Sequence, residues 1–164
     1  MSKRFMITAA GAAATGIAGL GSSAFAEIVN FTHGLDRWAG EHSWQMYSSG
    51  GSLVASMYVS GGLYYAGSLN SLSFTSDSAS SHYGDVTFNM DLAAGDYTIM
   101  MQDSYGDGWA WNSYTGGIWV SGAASGYGVV TGSSASMTFT VSVIPAPSAL
   151  ALLGLAGLAA RRRK

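Results

Sequence analysis

Residues 96–112, D-Y-T-I-M-M-Q-D-S-Y-G-D-G-W-A-W-N, join a run of alternating apolar residues to an acidic, glycine-containing loop. Tyr97, Ile99 and Met101 fall on every second position, which is the period of a strand with one buried face. The following residues, 103–111, contain two carboxylates, two glycines and two tryptophans. This stretch therefore predicts a half-buried strand that ends abruptly in a tight loop.

The two carboxylates of this loop are Asp103 and Asp107, and a glycine lies on each side of the second one. Glycine allows the backbone to bend sharply, so both side chains can reach one point. Converging carboxylates repel each other unless a cation lies between them, and the loop contains no Lys or Arg. We therefore predict a Ca²⁺ site with Asp103 and Asp107 as ligands, and with Asp36 and Glu41 as candidates for additional ligands.

A second interpretation of the loop needs no metal. Asp side chains often accept hydrogen bonds from the backbone of their own turn, and Trp109 would then cover the edge of the core. The spacing D-x-x-x-D-G also differs from the EF-hand pattern, and no Glu follows at the required distance. Both interpretations stay open at this point.

The loop D-S-Y-G-D-G-W and its preceding strand resemble the signature of a secreted β-sandwich module found in bacterial and eukaryotic surface proteins. The upstream residues 41–46, E-H-S-W-Q-M, are similar to the strand that precedes this signature in the module, and residues 51–54 fit its next strand. The resemblance covers residues 36–112. It implies a β-sandwich fold for this part of the chain.

Strand patterns continue on both sides of this region, and no segment of residues 27–144 predicts a helix. Residues 86–92 and 137–143 alternate strictly, and residues 94–96 predict a hairpin turn between the first of these strands and residues 97–101. Weaker strands are predicted at 28–32, 43–47, 53–59, 63–66, 69–75, 117–120 and 128–131. Short strands separated by Gly and Ser clusters predict an all-β fold, a single jelly-roll-like β-sandwich over residues 27–143.

Charge is distributed unevenly along the chain. The formal net charge is −2, but residues 27–144 contain one basic residue, Arg37, against all nine acids, which gives this region a net charge near −8. Such a field excludes nucleic acid as a partner and favours cations. The chain contains no Cys, so stabilisation must come from packing or from a metal.

The N-terminal residues 1–26 have the pattern of a secretory signal peptide. Lys3 and Arg4 precede an apolar segment at residues 5–20, and Ala24 and Ala26 form a small-x-small cleavage site. Cleavage there would leave Glu27 as the first residue of the exported protein.

The C-terminal residues 144–164 contain a second targeting pattern. Pro145, Ala146 and Pro147 precede an apolar segment, residues 148–160, which predicts a short helix, and a basic cluster follows at Arg161, Arg162, Arg163 and Lys164. The apolar segment is shorter than the ~20 residues of a stable spanning helix. The basic cluster would remain on the cytoplasmic side of the membrane.

This tail resembles the PEP-CTERM sorting signal of Gram-negative bacteria, although Ala146 stands where Glu is typical. The resemblance implies transient anchoring in the inner membrane, processing by an exosortase, a membrane protease, and export to the cell surface or extracellular matrix alongside exopolysaccharide. An ordinary C-terminal membrane anchor is the alternative.

Motifs of enzymes are scarce in this sequence. It has neither H-E-x-x-H nor G-x-S-x-G, and its scattered histidines are interpreted as surface or turn residues: His33, His42 and His82. Trp38, Trp44, Trp119 and the nine Tyr could fill the core or form a platform for sugars. We expect a non-enzymatic surface or matrix protein, with a carbohydrate-active hydrolase using Asp carboxylates as the alternative.

Overall fold

The computed structural model describes residues 26–60, 63–66 and 69–144. The predicted sorting signal, apart from Ile144, and the predicted signal peptide, apart from Ala26, lie outside these residues. Within them no helix is long and apolar enough to cross a bilayer.

The described residues form strands and one 3-10 turn, in the following order. The elements are β1 Ala26–Asp36, the 3-10 helix Ala39–Glu41, β2 His42–Ser48, β3 Leu53–Ser60, β4 Leu63–Ala66, β5 Ser71–Ser76, β6 His82–Ala93, β7 Gly95–Asp103, β8 Ala110–Trp111, β9 Tyr114–Thr115, β10 Gly117–Gly122, β11 Gly126–Gly128 and β12 Ser134–Val141.

Two five-stranded antiparallel sheets pack against each other. The first sheet has the order β11-β10-β1-β6-β5, the second has the order β12-β7-β2-β3-β4, and β8 pairs with β9 as a separate small ribbon. This arrangement confirms the predicted all-β sandwich.

The core lies between the sheets and follows the alternation of the sequence. On β7 the side chains of Tyr97, Ile99 and Met101 are buried, and on β6 every second residue from Val86 to Leu92 is buried. Phe31 of β1 stacks on Phe88 with ring centroids 4.8 Å apart. The three strictly alternating segments of the sequence all form strands as predicted, because one apolar face of each can be buried only against the opposite sheet.

The predicted hairpin between β6 and β7 is wrong. β6 pairs with β1 and β5 in the first sheet, whereas β7 pairs with β2 and β12 in the second. Ala94 therefore carries the chain from one sheet to the other, and the hydroxyl of Tyr97 braces this corner by donating to the carbonyl of Ala93 at 2.9 Å. Alternation defines the buried face of a strand but not its partner.

The predicted strands differ from the structure at two boundaries and in one small ribbon. Val143 continues the predicted alternation but lies beyond β12 and is exposed. The strand predicted at 128–131 is instead β11, Gly126–Gly128, and the ribbon of β8 and β9 was not predicted because each of its strands has two residues.

Candidate functional site

Asp103 is an acidic residue at a position where the sheet points into the core. It continues the inward alternation of Tyr97, Ile99 and Met101 at the last position of β7, and it is 5 % exposed. It pairs with His42, the first residue of β2, whose side chain is also buried. The same register that buries the apolar residues of β7 therefore buries this carboxyl group at one end of the sheet.

Glu41 lies next to the acidic loop because β2 begins where β7 ends. The amide of Ser104 donates to the carbonyl of Glu41 at 3.0 Å, which extends the pairing of the two strands by one step. The amide of Asp103 donates to Ser133 on the other side at 2.9 Å. The start of the loop is thus held on both sides by backbone hydrogen bonds.

Three carboxyl groups converge at this end of the sandwich. One oxygen from each of Glu41, Asp103 and Asp107 lies within 4.8 Å of the others, and these side chains are half-buried, buried and exposed in that order. Gly106 and Gly108 adopt positive φ angles of 96° and 97°, which non-glycine residues rarely adopt. We call these three residues the carboxylate cluster.

The two oxygens of Asp103 have different environments. Oδ1 accepts a hydrogen bond from the amide of Gly106, which is the backbone capping expected of a metal-free turn. Oδ2 is buried and has no hydrogen-bond partner among the described residues. A buried polar atom without a partner costs about 1–3 kcal/mol, and a cation that contacted Oδ2 would remove that cost. The capping turn and the metal site are therefore compatible.

The electrostatics of the cluster favour a positive ligand. Partial burial raises the pKa of Glu41, and the neighbouring Asp103 and Asp107, followed by Asp36, raise it further. Arg37 is the one basic residue of the region, and its guanidinium lies 5.8 Å from the centre of the Trp38 ring and donates to the carbonyl of Ser80. Among the described residues, this Arg, the only Arg or Lys of residues 27–144, forms no ion pair with the cluster.

Asp36 does not join the carboxylate cluster. Its Oδ1 accepts hydrogen bonds from the amide of Trp38 at 2.8 Å and from Nε2 of His42 at 3.1 Å. His42 Nδ1 lies 3.2 Å from His33 Nε2, so a chain with neutral imidazoles has His33 donating to His42 and His42 donating to Asp36. The interpretation of His33 and His42 as surface or turn residues is wrong, because both are fully buried.

Trp109 belongs to this buried chain rather than to the surface of the loop. Its side chain has no exposed area, and its ring stacks on His42 with centroids 4.4 Å apart and an interplanar angle of 10°. Its indole nitrogen donates to the carbonyl of Gln102 at 3.2 Å. Trp109 therefore fixes the loop to the core from below and leaves the carboxylate cluster open on the other side.

A cleft of about 370 Å³ opens beside the cluster and is lined by Trp38, Glu41, Tyr105, Asp107 and Trp111. The Trp38 and Trp111 rings meet edge to face, with centroids 5.6 Å apart. We call this the aromatic cleft.

Only part of the expected aromatic platform lies at this cleft. Trp44 is buried in the core, and Trp119 is partly exposed on β10 of the other sheet. Trp111 was not predicted to contact a ligand, since nothing in its local sequence pattern distinguishes a tryptophan that lines a cleft from one in the core.

The burial of His33 predicts a pH dependence of stability. Loss of solvent, and secondarily His42, hold the pKa of His33 well below its usual range. Unfolding exposes the imidazole, which then takes up a proton below about pH 6.5. Protonation therefore favours the unfolded state, so the free energy of unfolding is highest above that pH and decreases as the pH falls. We expect His33 to contribute a slope of up to about 1.4 kcal/mol per pH unit, measured by denaturant unfolding between pH 5 and 8.

The control for this experiment is a second histidine variant. His33→Gln should remove the slope, whereas His82→Gln changes a histidine at the start of β6 that contacts Asp77 and Asp85 and should retain it. The wild type, His33→Gln and His82→Gln all retain Glu41, whose raised pKa changes stability with pH in the opposite direction. The difference in slope between the three proteins is therefore due to His33. An unchanged slope in His33→Gln would contradict the prediction.

No protein-family model matches this chain, and no curated protein or solved structure matches it. Three features of the chain itself remain as guides to its function. They are the carboxylate cluster, the buried oxygen of Asp103 and the aromatic cleft beside them.

Proposed function

We propose that the protein is an exported, non-enzymatic surface or extracellular-matrix protein whose β-sandwich is stabilised by Ca²⁺ bound at the carboxylate cluster. The observation that carries the proposal is the buried Oδ2 of Asp103, which has no partner among the described residues and belongs to a side chain that converges with Glu41 and Asp107. A calcium ion would coordinate this oxygen and neutralise the repulsion of the three carboxylates.

The composition of the cluster favours Ca²⁺ over other common metals. Its side-chain donors are all oxygens, whereas structural zinc sites use Cys and His, and His42 is held in hydrogen bonds to Asp36 and His33. Mg²⁺ requires a nearly ideal octahedral geometry, while Ca²⁺ accepts six to eight oxygens in variable arrangements. Loop carbonyls and water can supply the ligands that the three carboxylates do not.

The proposal for localisation rests on the sequence. A signal peptide at residues 1–26 and the Pro145-Ala146-Pro147 tail favour export, transient anchoring in the inner membrane, exosortase processing and association with exopolysaccharide in a Gram-negative bacterium. A metal would also suit an exported domain that has no cysteine and so no disulfide bond.

Calcium should raise the thermal stability of the protein. Affinity of about 10⁻⁴–10⁻³ M is typical of extracellular modules, and a hundredfold excess over the dissociation constant corresponds to ~2.7 kcal/mol of added stability. Thermal unfolding with Ca²⁺, with Mg²⁺ and with EDTA measures the effect. We expect a clear increase in melting temperature with Ca²⁺ and a smaller one with Mg²⁺.

The Glu41→Gln substitution should change the stability of the protein in opposite directions in EDTA and in Ca²⁺. Because partial burial and the neighbouring carboxylates raise the pKa of Glu41, its ionised form is less favourable in the folded protein, so the variant should be more stable than the wild type at pH 7 in EDTA. In Ca²⁺ the same variant should lose most of the stabilisation. Glu27→Gln, which changes a side chain that accepts a hydrogen bond from Ile144, is the matched control and should keep it. A melting temperature that does not respond to Ca²⁺ would leave the capping turn as the better account.

The tail predicts a processed protein. If an exosortase acts on the chain, the mature form from the native host should lack residues 161–164, since the basic cluster remains on the cytoplasmic side of the membrane. Intact-mass spectrometry of the surface fraction measures this. Recovery of the full C-terminus from the membrane fraction would favour the ordinary anchor.

The raised pKa of Glu41 supports a carbohydrate-active hydrolase as the second candidate. A retaining glycosidase uses one protonated and one ionised carboxyl group about 5 Å apart, and Glu41 lies within 4.8 Å of two other carboxyl groups at the aromatic cleft. Our first proposal predicts no release of reducing sugar from a panel of polysaccharides. Turnover that is lost in Glu41→Gln while the fold remains intact would favour the hydrolase instead.

A further inference from the structure

The aromatic cleft and the carboxylate cluster share two residues. Glu41 and Asp107 contribute oxygens to the cluster and also line the cleft. A molecule in the cleft would therefore lie directly against an ion held by the cluster. From this juxtaposition we infer that the cleft binds a neutral sugar whose adjacent hydroxyl groups complete the coordination of Ca²⁺, an inference that rests on the proposed metal site.

The coordination of the ion leaves room for such a ligand. Ca²⁺ takes six to eight oxygens, and the three carboxylates offer one placed oxygen each. The remaining positions fall to loop carbonyls, water and ligand oxygens. Two neighbouring hydroxyl groups of a sugar ring can replace two waters without introducing charge, and both oxygens then lie on the same side of the ion.

The walls of the cleft suit the apolar face of a sugar ring. Trp38 is 44 % exposed and Tyr105 is 78 % exposed, so a large aromatic area faces solvent beside charged groups. An aromatic face packs well against the C–H groups of a pyranose, while the carboxylates and the ion contact its hydroxyl edge. The cleft volume of about 370 Å³ lies within the range of ~300–1,000 Å³ that is typical of small-ligand sites.

Charge selects a neutral sugar over an acidic one. Three ionised carboxylates and one Ca²⁺ leave a formal charge of about −1 at the site, within a region whose net charge is near −8. A uronic acid or a sulfated sugar would bring a further negative charge into this field. A neutral hexose polymer avoids this repulsion.

The test is titration of the full chain with soluble mannan, galactan and glucan, in Ca²⁺ and in EDTA. We expect at least one polymer to bind in Ca²⁺ and to lose binding at least about tenfold in EDTA. Trp111→Ala and Tyr105→Ala should weaken binding by a similar factor, and Tyr105 is so exposed that its truncation should leave the fold unchanged. Trp119→Ala removes a partly exposed tryptophan of the other sheet and is the matched control that should bind normally.

Each other outcome overturns a separate part of the inference. Binding that persists in EDTA, or that is lost in Trp119→Ala rather than in Trp111→Ala and Tyr105→Ala, contradicts a calcium-linked sugar site in this cleft. Absence of binding to all three polymers, in a protein that Ca²⁺ still stabilises, refutes the sugar inference and leaves the metal site standing. Absence of both effects refutes the metal site as well.

Discussion

The antiparallel pairing of β2 with β7 is the contact on which the rest of the structure depends. Its register sets Met46 opposite Ile99 and Trp44 opposite Met101, and all four side chains are buried between the sheets. One step further, the same register sets His42 opposite Asp103. A single alternation therefore produces an apolar core along most of the pair and a polar, ionisable end, and a slip of one residue would reverse both.

The polar end contains two separate groups of side chains. Asp36, His42 and His33 are joined by hydrogen bonds within the core, and Trp109 stacks on His42. The carboxylate cluster lies next to this chain, and partial burial together with Asp103 and Asp107 raises the pKa of its third member, Glu41. Trp109 thus belongs to a hydrogen-bonded group, whereas the cluster contains a buried oxygen, Oδ2 of Asp103, that has no hydrogen-bond partner among the described residues.

Much of the fold could be predicted from sequence because the relevant forces are local. Strict alternation on β6, β7 and β12 identified strands and their buried faces, and the positive φ angles of Gly106 and Gly108 agree with the sharp bend expected of the loop. Strand partners could not be predicted in this way. Alternation is the same whether a strand continues in a hairpin or crosses to the opposite sheet, which is why the link at Ala94 was misassigned.

The side-chain groups at the site were harder to predict because they depend on tertiary contacts. Asp103 and Asp107 are close in sequence, so their convergence follows from the loop itself. Glu41 lies near the two aspartates only because β2 pairs with β7. Asp36 stays out of the cluster because it is hydrogen-bonded to the buried His42. The exposure of Trp38 and Tyr105 likewise follows from packing that no local pattern encodes.

The corner at Ala94 also bears on how the chain folds. Because β6 and β7 are consecutive but join different sheets, much of the pairing is made between distant segments, as when Ala26 meets Ala93 and Val29 meets Gly122. The chain must lose the entropy of closing large loops before such contacts can stabilise it. Sandwiches of this kind therefore fold slowly, over milliseconds to seconds. The export proposed for this chain would benefit from that delay, because slow formation of the two sheets would leave the chain unfolded for longer before it becomes compact.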